Sequence, residues 1–284
     1  VGRLVSGVTV MGNLAVDVID GAPPSPGGCA SFAGVALEAF HGPDGPGRIV
    51  AMAAERDHAL FDPLAERLGP LLRILPADRT SSFRLDYVDV DHREMTVDAI
   101  GPVWRRAEVD AAAPDTTWVH LAPLLRTDFP ADTLALLAAR GHRIVYDGQG
   151  LVRADRLGPL TLDRHFPAEM LRHLTVLKLA EDEAVIVADG EFDITTAQRL
   201  GVPEILVTFG SEGCDVYTDG TVVRVPAAWP VNGVQTTGAG DMFTACYAAN
   251  RSAGADPREA VALASELVAR ELDARLQLEP VAGA

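Results

Sequence analysis

A chain of 284 residues is long enough for one large α/β domain, alone or with a small appendage. Hydrophobic residues at 48% and charged residues at 23% describe a globular chain and exclude a disordered one. The formal net charge of −16 argues against a nucleic-acid partner, which needs clustered Lys and Arg, though local dipoles and a metal can still admit an anionic ligand.

In chain order, Leu4–Val10 and Ala15–Ile19 read as two short β-branched strands joined at a glycine turn, Met11-Gly12-Asn13. A Pro/Gly-rich loop, residues 21–28, leads into a predicted helix over 29–40 with Phe32, Val35, Ala36 and Ala39 on one face. The loop His41–Gly47 precedes a strand from Arg48. Within 80–105, Phe83, Leu85 and Tyr87 alternate with polar residues, a turn is expected over Asp89–Arg93, and Met95, Val97 and Ala99 alternate again. That is an antiparallel hairpin with one apolar face, either an edge of the main sheet or a lid over a ligand. From about Val109 strands and helices take turns, with strands at Trp118–Leu121, Arg143–Tyr146, Thr175–Leu179 and Ile205–Thr208. Helices are expected at 132–140, 182–188, 241–250 and 257–276, and Asp147–Gly150 is read as a loop. Cys214–Thr218 and Thr221–Val225 form a hairpin across Asp219-Gly220. The alternation implies a largely parallel sheet covered on both faces, with ligands at the strand C-termini.

Cys29, Cys214 and Cys246 form no CxxC pair, so they read as small buried hydrophobes and not as a disulfide framework or a zinc site. Without a signal-peptide pattern or an apolar run of membrane-spanning length, the expectation is a cytoplasmic protein with no membrane partner.

The chemistry concentrates at Gln235-Thr236-Thr237-Gly238-Ala239-Gly240-Asp241, directly before a helical run. Glycines there let backbone N–H groups converge, and a helix N-terminus adds partial positive charge, so the turn suits a phosphate. Asp241 beside such an anion is either an N-cap or a base for a nucleophilic hydroxyl. The Walker pattern is absent, Phe243 stands where the dinucleotide motif needs its third glycine, and Phe209-Gly210-Ser211-Glu212-Gly213 lacks the first glycine of a nucleophile elbow.

These residues, with others along nearly the whole chain, resemble the ribokinase-like (PfkB) carbohydrate and nucleoside kinases. Thr237–Phe243 is similar to that family's C-terminal signature, and Gly27-Gly28 with the following small-residue helix to its N-terminal one. Asn13 and Asp17 match its opening strand, and Val207–Gly213 its nucleotide-site turn. The resemblance implies a three-layer α/β/α fold with a mostly parallel sheet: one domain over 1–284, with a β-lid from segments near 12–20 and 80–105. It implies an ATP-dependent kinase in which Asp241 takes the hydroxyl proton and Gly238, Ala239 and Gly240 steady the transferring phosphoryl group. Lys178, Thr208, Gly210, Gly213 and Thr237 would meet the ATP. Asn13, Asp17, Gly27, Gly28, Ser31, Gln149 and Arg153 would meet the acceptor together with Asp241, and Glu183 would hold Mg²⁺ through water.

Two departures stand out: Ala180 replaces the family's Asn in the Asn-x-x-Glu motif, and Phe32 occupies an Asn position. The loop Asp147-Gly148-Gln149-Gly150, with Arg153, resembles an inositol-kinase-like branch and tilts the acceptor toward a cyclitol. No Lys or Arg lies between Leu4 and Ala39, which favours a neutral acceptor, with Arg84, Arg93, Arg105 and Arg153 as remaining contacts. A nucleoside kinase with a base slot from Phe32, Phe83, Tyr87 or Trp104 is the alternative, and a non-catalytic ligand-binding relative is the third reading. Either a monomer or a homodimer through the lid fits the sequence.

Overall fold

The computed structural model describes residues 4–41, 47–88, 93–231 and 233–278. The chain opens with strands β1 (Val5–Asn13), β2 (Ala15–Ile19) and β3 (Ser25–Gly27), then helix α1 (Cys29–His41). Next come β4 (Arg48–Ala54), α2 (His58–Leu68), β5 (Leu72–Ala77), β6 (Ser81–Tyr87), β7 (Arg93–Ala99) and α3 (Arg106–Ala112). The middle holds β8 (Thr116–Ala122), α4 (Ala131–Ala139), β9 (Arg143–Asp147), the short α5 (Gln149–Val152) and β10 (Gly158–Pro159). Then follow β11 (Val176–Ala180), α6 (Glu181–Ala188), α7 (Ile194–Leu200), β12 (Glu204–Thr208), β13 (Cys214–Thr218) and β14 (Thr221–Val225), before α8 (Ala239–Ser252) and α9 (Pro257–Leu278).

The large sheet has nine strands in the order β14-β13-β12-β11-β9-β8-β1-β4-β5. From β12 to β5 every pairing is parallel; β13 and β14 close one edge as an antiparallel hairpin. Its turn places Asp219 at φ 50° and Gly220 at φ 70°, both positive as a two-residue hairpin turn requires. Because side chains alternate across a strand, each buried parallel strand feeds two apolar layers. Val8, Val10, Ile49, Ala51, Val145 and Leu206 face α1, α2, α8 and α9. Met11, Val50, Val119, Leu121, Leu177 and Ile205 face α3 to α7.

A second, five-stranded sheet has the order β10-β7-β6-β2-β3. Its apolar side, with Ala15, Phe83, Leu85 and Val97, packs on Leu124 and Leu125. The 80–105 hairpin therefore belongs to this sheet and not to an edge of the large one; its expected turn at residues 89–92 lies outside the described residues, as do 42–46 of the loop before β4.

Three local expectations change. Met11-Gly12-Asn13 is no turn: β1 runs through it, and Gly12 lies so close to β8 that a Cβ there would stand 2.7 Å from the Ala122 carbonyl oxygen. Gln149-Gly150 starts α5 rather than continuing a loop. The buried face of α1 is Ala30, Ala33, Ala36 and Leu37, because small residues let α1 lie close against its neighbours; Ala39 is exposed and Phe32 turns toward Gly238. The helix α2 went unanticipated, with Pro63 inside it interrupting an otherwise helical spacing of Phe61, Leu64 and Leu68.

Candidate active site

On β8, β9 and β11 the residues Trp118, Val145 and Val176 face the α8 layer. Two positions later on each strand, the same side carries His120, Asp147 and Lys178, all buried. Register sets Lys178 beside Asp147 and His120 beside Val145. His120 Nε2 lies 2.7 Å from Asp147 Oδ2, and the Thr244 hydroxyl of α8 donates to Asp147 Oδ1 at 2.8 Å. Burial alone would push the Asp147 carboxyl up, but His120, Lys178 and Thr244 together hold it below the ordinary carboxylate range. Burial favours the neutral form of Lys178, yet Glu183, Asp147 and Asp241 outweigh it and keep the ammonium charged.

The turn before α8 closes over this polar row. Gly238 has φ 80°, and a Cβ there would stand 2.2 Å from the Phe32 ring, so only glycine fits. The position of a Cβ on Gly240 would lie 3.1 Å from Lys178 Nζ, which places the ammonium directly beneath the turn. The Ala239 N–H already donates to the Thr236 carbonyl at 3.0 Å, and that of Met242 to Gly238 at 2.9 Å. This differs from the expected set of three glycine-turn donors: Ala239 is occupied by its own turn. The N–H groups of Gly240 and Asp241 have no main-chain acceptor among the described residues. Arg275 of α9 donates to the Thr237 carbonyl at 2.9 Å and to that of Gln235 at 3.3 Å, fixing the turn from outside.

Asp241 sits in the first turn of α8, one turn before Thr244. Burial and the Asp147 charge push its carboxyl up to about 6, against the opposing influence of Lys178, Arg153 and His120. Burial, with the Asp241 and Asp147 carboxylates acting on it, drives the Cys29 thiol well above the usual thiol range, so it keeps its proton. Cys29, His120 and Asp147 bring three ligand-type atoms within 4.8 Å of one another. A soft metal there would need the Cys29 thiolate and an Asp147 oxygen already taken by His120 or Thr244. The donor set therefore suits hydrogen bonding better than metal binding.

Above Asp241 lies a cavity with about 480 Å³ of empty space, mouth included, between the large sheet and the small one. Asp17, Gln149, Arg153 and Asp241 make its polar side, and Phe32, Phe83, Leu85, Met95 and Leu124 its apolar side. The Gln149 amide donates to the Pro123 carbonyl at 2.6 Å, which orients it. Gly27 is needed for space: a Cβ there would fall 2.0 Å from the Asp17 carboxylate. The Tyr87 hydroxyl, from β6, meets the Thr237 hydroxyl at 2.5 Å and ties the small sheet to the turn before α8.

Of the residues expected at the acceptor, the cavity thus collects Asp17, Gly28, Gln149, Arg153 and Asp241, along with Thr237 and Gly238. Asn13 is not among them. Its amide donates to the Pro102 carbonyl at 2.8 Å and accepts from Trp104 Nε1 at 3.0 Å, pinning the end of β1 to residues 102–104. Trp104, stacked on Phe129 with ring centroids 5.7 Å apart, is likewise withdrawn from any base slot. Ser31 donates to the Gly27 carbonyl at 3.0 Å and holds the start of α1. Arg84 pairs with Asp98 on the outer side of the small sheet.

On the other flank of the turn, Thr208 ends β12 opposite Ala180 and donates to the Leu179 carbonyl at 3.3 Å. Gly210 and Gly213 bracket a single 3₁₀ turn after it. Glu183 is buried, raised by that burial and opposed by Lys178, and its Oε2 accepts the Ala180 N–H at 2.8 Å. With no side-chain oxygen at Ala180, Glu183 reaching back is the half of a capping box that α6 retains. The carboxylate keeps one oxygen for a further donor, which fits a bound water of a hard cation. His120, Asp147, Thr244 and Leu124 were not anticipated as site residues. A signal for the first two was present: a polar residue at an inward position of an apolar parallel strand needs a buried partner.

Residues 103–270, more than half of the chain, match the family described as pfkB family carbohydrate kinase. The chain is 28% identical over 253 residues to an inositol 3-kinase of Oryza sativa subsp. japonica, covering 84% of this chain and 60% of that protein. It spans about half of a Zea mays inositol 3-kinase, at 28% identity and 52% coverage. Among solved structures, a pyrophosphate-dependent kinase in the ribokinase family, complexed with a pyrophosphate analog and myo-inositol, superposes with a TM-score of 0.77 at 21% identity. That match covers 94% of this chain and 95% of that one. A Burkholderia thailandensis nucleoside kinase in complex with inosine gives 0.73 at 19% identity, covering 93% and 90%. The fold is thus the ribokinase fold, and with the matched span and the Thr237–Phe243 turn beneath its cavity the chain belongs to the pfkB family of carbohydrate kinases.

Proposed function

We propose that the chain transfers a terminal phosphoryl group to one hydroxyl of a small neutral polyol, a cyclitol such as myo-inositol. The observation that carries this reading is the divided cavity: Asp17, Gln149, Arg153 and Asp241 on one side, Phe83, Leu85 and Met95 on the other. A cyclitol ring presents hydroxyl edges and C–H faces, and so matches both sides. One guanidinium against two carboxylates gives no anionic-acceptor site. The names of the rice and maize relatives support the same acceptor class.

In the reaction, the acceptor hydroxyl is held toward Asp241 by the polar side of the cavity. As its oxygen forms the new bond to phosphorus, its proton passes to the Asp241 carboxylate, and the bond from phosphorus to the donor's leaving oxygen breaks with its electron pair on that oxygen. The N–H groups of Gly240 and Asp241 and the Lys178 ammonium steady the charge on the transferring group; Gly238 supplies the bend, and Ala239 joins only if its own turn opens. The small sheet acts as the lid that keeps water from the acceptor.

ATP is the donor we assign, with Lys178, Thr208, Gly210, Gly213 and Thr237 around it. Glu183 would hold Mg²⁺ through water, and the ion when bound neutralises charge on the donor phosphates. Pyrophosphate is a second donor to test, since a structural relative uses it. Phe32 and Phe83 in the cavity wall favour a nucleoside as the second acceptor reading. Phosphoryl transfer from ATP or pyrophosphate, measured over a panel of cyclitols, sugars and nucleosides, should be greatest with a cyclitol. Asp241→Asn should lower it by about 10²–10⁴-fold. Turnover with no acceptor, or full turnover by Asp241→Asn, would overturn the reading.

A further inference from the structure

The buried carboxylate of Asp147 lies behind Asp241 without touching the cavity, and the reading of Asp241 as base gives it no task. Its surroundings are unusually complete. His120 Nε2 meets one oxygen at 2.7 Å and the Thr244 hydroxyl the other at 2.8 Å, while Lys178 stands beside it in register on β11. Thr244 lies one turn after Asp241 on the same helix, so the bond to Asp147 also fixes the first turn of α8. The Cys29 sulfur is within 4.8 Å of an Asp147 oxygen, and the charges of Asp241 and Asp147 both act on it.

We propose that Asp147 is a positioning residue for phosphoryl transfer: held by His120 and Thr244, it fixes the start of α8 and supplies the negative field that makes Asp241 the proton acceptor of the pair. This rests on the reading of Asp241 as the base. Two like charges in one buried site do not titrate alike; the better-partnered group stays ionised and the other takes the proton. Asp147 has the better partners. His120 Nδ1 has no hydrogen-bond partner among the described residues. The tautomer that donates Nε2–H to Asp147 leaves only a lone pair unpaired, which is less costly than a buried orphan N–H. The groups facing Asp241 are Asp147 on β9, His120 on β8, Lys178 on β11, Arg153 after α5 and Cys29 on α1. Among them Asp147 is the strongest influence acting to raise it, next to burial itself.

The test is the pH dependence of kcat with saturating cyclitol and donor. Asp147→Asn removes the charge at nearly constant shape. It should move the acid limb down by about one pH unit or more and lower the plateau, because Asp241 becomes a weaker base. His120→Gln keeps an N–H near the Nε2 position and so the hold on Asp147, while it removes an influence that opposes the rise of Asp241; its limb should not move down. A residue with only a packing role would lower kcat equally at every pH. An unshifted limb in Asp147→Asn, or a limb that moves down in His120→Gln, overturns the proposal. Carbon-13 titration of Asp carboxyls in the intact wild-type protein needs neither turnover nor a stable Asp147 variant. A signal titrating near 6, separate from that of the buried Asp128 carboxyl raised to about 7, should be present and should vanish in Asp241→Asn. Its persistence in that variant, or its absence from the wild type, also overturns the proposal. Failure of the kinase reading appears differently, as a titration of the expected form with no turnover on any acceptor.

Discussion

At Asp241, the proposed function and stability pull in opposite directions. Its carboxyl is pushed from an ordinary value of 3.8 up to about 6 in the folded chain. A carboxyl raised on folding contributes stability that is fully present below its unfolded value and is lost as the pH rises through the folded value. Ionised Asp241 therefore strains the fold at pH 8, and Asp241→Asn should be more stable there by about 1–3 kcal/mol, while losing turnover. The gain should shrink steadily toward pH 4. Urea unfolding of both proteins at pH 8 and pH 5 measures the difference, and an equal gain at both would show that the charge is not its source. The bend at Gly238 was legible in the sequence, because glycines directly before a helix have few physical uses, whereas the role expected of Asp241 came from the family resemblance, since Gly-x-Gly-Asp alone reads as well as an N-cap. The withdrawal of Asn13 was not, since nothing local says that Trp104 and Pro102 will claim its amide.

Among the elements, the small sheet has the least predictable role from local pattern alone. Period-two alternation in β6 and β7 identified strands and their apolar face, yet alternation cannot say which sheet a strand joins. Pairing of β6 with β2, in parallel from Ala15↔Ser81 to Ile19↔Leu85, decides it. The far end of β6 then meets the turn before α8 through Tyr87 and Thr237. Tyr87→Phe keeps the ring and removes the hydroxyl. It should raise the acceptor KM several-fold, change kcat less, and alter stability by no more than about 1 kcal/mol, as expected of a single hydrogen bond. Steady-state kinetics with a varied acceptor and a thermal melt give both numbers, and an unchanged KM would reduce the contact to packing. The polar row His120, Asp147 and Lys178 teaches the same lesson from the other direction. Lys178 was expected from the family resemblance and His120 and Asp147 were not, and only the register of three strands far apart in sequence makes them one cluster.

Across the whole molecule, the net charge of −16 opposes any phosphate donor at long range, although Lys178 and the start of α8 favour it locally. Salt weakens the long-range part first. The donor KM should fall as ionic strength rises from about 10 mM to 150 mM, while the KM of a neutral acceptor stays constant. Parallel movement of both would point to a general salt effect instead.

The small sheet is also a mechanical object. Apart from the two-residue β10, which joins along the side of β7, its covalent links to the large sheet and its helices lie at one end: Leu14 before β2, residues 78–80 before β6, residues 100–105 after β7, and Gly28 after β3. The opposite end, where Tyr87 lies, is joined to the rest by a side-chain bond to Thr237. A cantilever clamped in this way bends least near Ala15 and Ser81 and swings widest at its tip. Amide exchange should therefore slow progressively from Tyr87 back to Ser82, and a bond at the tip controls the beam with the greatest leverage its length allows.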